Sequence, residues 1–423
     1  MDMTHYAKLA LPLASALLLA ACGGASDSKT NNAGSGSTGD NGGVKPPAAV
    51  VQSFSAKAQW ALKPTAGSST CFDFDSNKDV ACEGSAWDMK ASLGAGSRDS
   101  VQFFTNSGPK ATGKGGALGD TFNFTWAQLA ELKDTSKMPD GNPLLPPMFI
   151  IDSMNNAFAS DNAYGGTAFE YAEQKIHVKY PVYLVTLNSA EAYSASSSNI
   201  YAVQLAGYYG GDTGNKSANI KVRYVKLSEL GNDGAVKEVS VDASQGWAYL
   251  DLTSGATVAA DGTWHLGMNR YNVVTNSGAS GSGTVGSFVA QELDDFYADD
   301  GKVIVAKLSD PTLVDKAKNM LTNNSAWSTP SAANKWEKDT LKSPLNPAYK
   351  GDPFTGIDYG FYSYTGMNAN HPSGAGTHKF LANPERGVLL RSGEGNSYAR
   401  VHLSSIAEGI YTFDFDVAPA VAK

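Results

Sequence analysis

Three side chains that can donate a soft, neutral electron pair lie close together near the C-terminal end of the chain: Met367, His371 and His378. Imidazole and thioether groups are donors for transition-metal ions. His371 sits in a glycine-rich stretch, 370–376, whose composition reads as a loop. A second cluster begins at Asp73, where Asp73, Asp75, Asn77 and Asp79 have the opening spacing of an EF-hand. Lys78 stands where that loop needs glycine and Gly84 where it needs a bidentate glutamate, so a hairpin turn is the better reading. Cys71 and Cys82 flank this turn and can pair across it in an oxidising compartment; the competing reading is a thiol ligand or nucleophile. The acidic pairs Asp294-Asp295 and Asp299-Asp300 have no evident chemical partner. No phosphate-binding loop, dinucleotide fingerprint, zincin motif or nucleophile elbow occurs, and nothing points to an enzyme.

These residues must be held by strands. The 423-residue chain has a formal net charge of −8 and 10% aromatic residues. Sparse, acidic charge argues against nucleic acid, which needs clustered Lys and Arg. Apolar alternation at Trp264, Leu266 and Met268, a hairpin over 388–403 and a last strand over 410–417 have the two-residue period of half-buried strands. Helical spacing is confined to Thr125–Leu132 and Pro311–Leu321. The halves also share marks in one order: Asp73 to Ser76 with Asp251 to Ser254, Trp87 with Trp264, Thr105-Asn106-Ser107-Gly108 with Thr275-Asn276-Ser277-Gly278, and Val203-Gln204-Leu205 with Val401-His402-Leu403. The fold class expected is all-β: two similar antiparallel β-sheet domains in tandem, 50–233 and 234–423, with short helical inserts.

The N-terminus adds an address. Lys8 precedes an apolar run from Leu9 to Ala21, and Leu19-Ala20-Ala21-Cys22 closes it. This resembles a bacterial lipoprotein signal peptide over 1–22, whose lipobox cysteine, Cys22, becomes the lipidated N-terminus. Gly23 follows, where an aspartate would favour retention at the inner membrane, so the outer membrane is implied. Residues 23–49 are rich in Gly, Ser and Asn and read as a disordered tether.

The second half carries a longer string: Gly246 to Leu252, Trp264, Arg270-Tyr271-Asn272-Val273, Thr275-Asn276-Ser277-Gly278 and a glycine run, then Val388 to Arg391, Tyr398 to Val401 and the terminal aromatic strand. It resembles the HmuY-like haem-binding lipoprotein family over about 240–418; the first half is linked to it mainly through the internal repeat. The resemblance implies an extracytoplasmic all-β protein at the outer membrane that captures haem and passes it towards a TonB-dependent receptor. It further implies axial ligation by His378 first, with His371 and Met367 as the other donors. His177 takes roughly the corresponding place in the first half. His265 reads as structural and His402 as solvated; Arg386 and Arg391 could meet propionates but read more simply as solvated charges. The alternative is an anchored β-rich interaction or structural module without haem.

Overall fold

The computed structural model describes residues 51–420, apart from 56, 97–98, 109–110, 120, 160–167, 212–213, 233, 294–295, 299–301, 333–334 and 348–349. The signal segment, Cys22 and the tether lie outside the described residues, as do both acidic pairs near 294 and 299.

The chain is mostly strand. The first half supplies β1 (Ala58–Leu62), β2 (Ser68–Asp73), β3 (Lys78–Val80), β4 (Met89–Leu93), β5 (Val101–Thr105), β6 (Gly116–Leu118), β7 (Phe149–Ile150), β8 (Ser153–Asn155), β9 (Phe169–Ala172), β10 (Lys175–Val178), β11 (Val182–Thr186), β12 (Ile200–Gly207) and β13 (Asn219–Lys226). The second half supplies β14 (Lys237–Asp242), β15 (Ala248–Asp251), β16 (Ala256–Val258), β17 (Leu266–Asn269), β18 (Asn272–Thr275), β19 (Gly286–Gln291), β20 (Thr340–Lys342), β21 (Lys350–Asp352), β22 (Gly356–Asp358), β23 (Tyr362–Tyr364), β24 (Phe380–Ala382), β25 (Val388–Arg391), β26 (Tyr398–Ala407) and β27 (Ile410–Ala418). The helices are α1 (Trp126–Ala130), α2 (Val305–Leu308) and α3 (Leu313–Thr322). Thr125 starts α1 through a capping box with Gln128, which satisfies otherwise orphaned backbone donors.

Two large sheets organise the molecule. One has the order β1-β27-β26-β25-β6-β7, the other β14-β13-β12-β11-β19, and every pair in them is antiparallel. Each faces a four-stranded sheet, β3-β2-β4-β5 in the terminal lobe and β16-β15-β17-β18 in the central lobe. The expected division at 233/234 falls in the loop joining β13 to β14, and those strands pair with each other. Strands of both halves therefore build each large sheet.

Alternation explains which faces are buried. In β27, Tyr411, Phe413 and Phe415 point into the terminal core, while Thr412 and Asp414 lie on the other face. β1 pairs Trp60 with Phe413 and Leu62 with Tyr411, and the Trp60 and Phe413 rings stack at 5.3 Å. Burying each such aromatic contributes about 2–3 kcal/mol. The central core is built on Tyr183, Tyr201, Val203, Ile220 and Tyr224 against Leu250, Leu266 and Met268.

The Asp73 run is a hairpin turn: its carboxylate accepts Ser76 N–H (3.1 Å) and Oγ–H (2.6 Å) between β2 and β3. Cys71 and Cys82 are disulfide-bonded, with Cα atoms 5.3 Å apart.

The shared Thr-Asn-Ser-Gly string has one job in both lobes. Thr105 donates through N–H and Oγ1–H, each at 3.0 Å, to the buried Asp152 carboxyl, and Ser107 Oγ accepts Asp152 N–H. Thr275 and Ser277 hold Asp339 in the same way, with Thr275 N–H at 2.9 Å. Gly108 and Gly278 have positive φ, and a Cβ on either would lie about 2 Å from the Asp152 or Asp339 carbonyl oxygen (2.0 and 2.1 Å). Asn106 and Asn276 donate to the carbonyls of Trp87 and Trp264 and accept from Gly113 and Gly283, which shapes the glycine runs.

A candidate ligand-binding loop at the β23–β24 hairpin

β21 to β24 form a small sheet standing on the terminal core. Phe361 and Tyr362 are fully buried. Phe361 meets Phe103 and Phe413 edge-on at 5.3 and 5.4 Å, and Tyr362 Oη donates to the Val101 carbonyl at 2.8 Å. The strand then rises to Tyr364, and the chain leaves the sheet to return at Phe380. Thr365 and Lys379 clasp the base of this excursion: Thr365 N–H donates to Lys379 O (2.9 Å), and Lys379 N–H to Thr365 Oγ1 (3.0 Å). Met367, His371 and His378 all lie between them.

His378 adopts a left-handed φ of 57°, uncommon for a residue with a side chain. Its N–H donates to Gly366 O, and its Nδ1 is 2.5 Å from Tyr364 Oη. His371 rests against β22: its Nε2 and Cδ2 lie 3.3 Å from the place a Cβ on Gly356 would take, and that same place is 3.1 Å from Tyr364 O. His371 Nδ1 is 2.9 Å from Ser373 Oγ and accepts a longer bond, 3.3 Å, from Ser373 N–H. Nδ1 of each imidazole is thus engaged by a hydroxyl, and Nε2 has no protein hydrogen bond among the described residues. Metal-ligating histidines are commonly oriented this way, with the second ring nitrogen tied to a polar group. For His371 that role places the proton on Nδ1 and gives up the weaker Ser373 N–H contact.

The surroundings are apolar and open. Phe354 is 67% exposed, Met367 53% and Phe380 39%, high values for such side chains. Met367 N–H donates to Pro353 O, which ties the loop to the turn carrying Phe354, and Phe380 packs on Tyr364 at 5.1 Å. Two imidazoles, a thioether and exposed aromatic surface on one hairpin fit the donor chemistry and flat apolar faces of an iron porphyrin.

The other histidines are differently placed. The corresponding hairpin of the first half, β9–β10, closes in the turn Glu173–Gln174 and has no such loop; there His177 Nε2 contacts Ala172 O at 3.2 Å. His265 is structural: Nδ1 accepts Leu252 N–H at 3.0 Å, where in the terminal lobe Asp88 accepts Phe74 N–H at 2.9 Å. Burial lowers its pKa and outweighs the nearby Asp251 carboxylate, so a neutral acceptor occupies the site. His402 differs from expectation: it is buried, stacked on Trp126 at 4.0 Å and bonded through Nδ1 to Pro384 O. Neither arginine is simply solvated. Arg386 Nη1 lies 2.8 Å from both oxygens of Asp358, and Arg391 donates to Pro146 O and Gly115 O over the Phe149 ring. The acidic trio Asp73, Asp75 and Asp88 converges in the terminal lobe, where burial pushes the Asp88 carboxyl up to about 7.

Sequence reasoning did not find Tyr364 as the partner of His378, nor Phe354. The two-residue repeat of Tyr362 and Tyr364 before the loop was the available signal: it puts both rings on one face, where Phe380 packs on each, at 5.7 and 5.1 Å, and carries that aromatic face from the buried Tyr362 out to the donors.

An all-β protein with an imidazole-bearing hairpin on its C-terminal half is the class these observations define. The family model described as HmuY protein matches residues 243–413, the second half of the chain, and the loop lies within that match. No curated protein matches the chain. The HmuY family is consistent with haem binding.

Proposed function

We propose that the protein is a haem-binding lipoprotein, anchored at the outer membrane through Cys22 and the tether, that captures haem for uptake. The observation that carries this reading is the hairpin loop holding both imidazoles, within the HmuY match and ringed by exposed Phe354, Met367 and Phe380. His378 and His371 would hold the iron through Nε2, with Met367 as the third donor in reach of the same loop. Tyr364 and Ser373 orient the rings, and the aromatic surface meets the porphyrin faces. Haem supplies the iron and the macrocycle; the protein supplies position and electrostatics. A TonB-dependent receptor is the recipient that fits this role.

The test is a haemin titration of the full mature chain, followed in the Soret region. A saturable red-shifted band is expected, reduced by His378→Ala and by His371→Ala and lost in the double variant. A wild-type protein with no Soret change, or a double variant that keeps the band, rejects the ligand assignment. A module without haem is the second reading, favoured by Ile150 and Ile151 (each 50% exposed) at the edge strand β7. Binding to a surface partner that is lost in Ile150→Lys but indifferent to haemin would support it.

A further inference from the structure

The two lobes follow one strand plan. β14-β13-β12-β11-β19 matches β1-β27-β26-β25-β6 position by position, and β16-β15-β17-β18 matches β3-β2-β4-β5. In chain order, the terminal lobe takes β1 to β6 from the first half and β25 to β27 from the second. The central lobe takes β14 to β19 from the second half and β11 to β13 from the first.

We infer that the protein is an interlocked pair of halves that have exchanged their last three strands, and that the proposed haem loop therefore depends on a seat built by the half that the family match does not cover. The haem part of this inference rests on the function proposed above; the interlock does not.

The exchange has a visible crossing point. After Asp152 the first half leaves the terminal lobe through β8; after Asp339 the second half leaves the central lobe through β20. β8 and β20 pair antiparallel there, with Asn155 opposite Thr340. Asn156, just past β8, donates to Asp339 at 3.0 Å, and Ser343, just past β20, bonds Asp152. Each crossing segment is thus held to the lobe it leaves through its aspartate, by Thr105 or Thr275, and to the lobe it enters through Asn156 or Ser343.

The consequence reaches the loop. Its sheet stands on Phe103, Val101 and Phe122, all from the first half. Phe122 meets Phe361 edge-on at 4.8 Å and has a positive φ of 67°. Its Cε2 lies 2.6 Å from where a Cβ on Gly360 would be, so the ring fills the space under the β22–β23 turn. Phe122 is a positioning residue for Tyr364 and His378, reached through Gly360 and Phe361.

A protease site inserted after Asn232, in the β13–β14 loop, tests the interlock in the full chain. Cys71–Cys82 lies within the first half, so no covalent bond joins the fragments after cleavage. The cleaved fragments are expected to elute together without denaturant and to melt in one transition. A Gln59→Cys, Asp414→Cys pair, facing across β1 and β27, should link them on a non-reducing gel. Fragments that separate on size exclusion, with no cross-link formed, overturn the interlock. For the site, Phe122→Ala in the uncut chain should weaken haemin binding about ten-fold and shift the Soret maximum while the fragments of its cleaved form still co-elute. Unchanged affinity and spectrum in Phe122→Ala overturn the positioning role. A wild-type chain that never shifts the Soret band overturns the site inference together with the haem reading, and leaves the interlock to be judged by elution alone.

Discussion

The hydroxyl of Tyr364 lies 2.5 Å from Nδ1 of His378, and the two rings meet at 6.0 Å. With the proton on Nδ1, the hydroxyl accepts it and Nε2 is left with a free lone pair. The bond also limits rotation of an exposed side chain whose backbone is already fixed in the left-handed region. Tyr364→Phe keeps the packing on Phe380 and removes only the bond. Outer-sphere partners of this kind typically cost about ten-fold or more in metal affinity when lost. Tyr364→Phe is therefore expected to weaken haemin binding about ten-fold and to raise the midpoint potential of the bound iron, because the imidazole becomes a poorer donor. Haemin titration and a spectroelectrochemical titration check both; an unchanged potential would show that the bond plays no part in ligation.

Gly356 offers a test of His371 by space alone. Its φ is +126°, and an added Cβ would lie 3.3 Å from the imidazole and 3.1 Å from Tyr364 O. Gly356→Ala is expected to destabilise the small sheet by about 1 kcal/mol or more through backbone strain. It should also move His371 and lower haemin affinity beyond what stability explains. Thermal melts beside haemin titrations separate the two effects, and Gly374→Ala, with open space around it, serves as the control for loop strain.

Much of the fold was legible locally. The Asp73 turn, α1, α3, and the hairpin from Val388 to Leu403 all depend on neighbours in sequence, and periodicity plus turn chemistry found them, though the Thr125 cap of α1 was not read. What alternation cannot give is the partner. It says that Phe413 faces a core, but not that Trp60 of the other half lies across from it. The Thr105 to Gly108 string was visible as a repeat, whereas its partner Asp152 was not, because nothing near either residue encodes the contact. His402 was misread for a related reason: polar alternation put it on an outer face, and α1 covers that face with Trp126. Of the site, the donors were legible as residue types, and the orienting hydroxyls were not.

Two buried carboxyls give the stability a definite pH dependence. Burial pushes Asp152 up to about 7, as it does Asp88, against the hydrogen bonds that favour the ionised forms and, for Asp152, against the nearby Lys90. Both folded-state values lie above the unfolded value, so the folded protein keeps protons that the unfolded chain releases. The stabilising contribution is whole below about pH 4 and is lost as the pH rises through about 7. Melting temperature is expected to fall between about pH 5 and about pH 8 as far as these groups control it. In the central lobe a neutral His265 accepts the equivalent backbone N–H, so a charge at Asp88 is not needed for that bond. Asp88→Asn should flatten the fall, and a melting curve as steep as wild type would remove Asp88 from the account.

The Cys71–Cys82 bridge closes a short loop, with the two residues 11 apart in sequence. The chain-entropy model assigns a loop of this size somewhat under ~3 kcal/mol, since closing a short segment removes little freedom from the unfolded chain. Its place raises the importance of that small term. Cys71 is buried on β2, opposite Lys90 of β4, so the bridge pins the β2–β3 turn that brings Asp73 and Asp75 towards Asp88. The central lobe has the same hairpin with Tyr249 at β15 packed at a tilt against Trp264 (4.7 Å) and no bridge. A Cys71→Ala, Cys82→Ala variant is therefore expected to fold, to lose about 2–3 kcal/mol in denaturant titration, and to bind haemin as wild type does, because the sheet carrying the loop of His371 and His378 stands on Val101 and Phe103 of β5, at the opposite edge of the four-stranded sheet from β3. Loss of haemin binding with the fold intact would mean that the turn and the loop are coupled through Phe103, whose strand β5 pairs with β4 beside it.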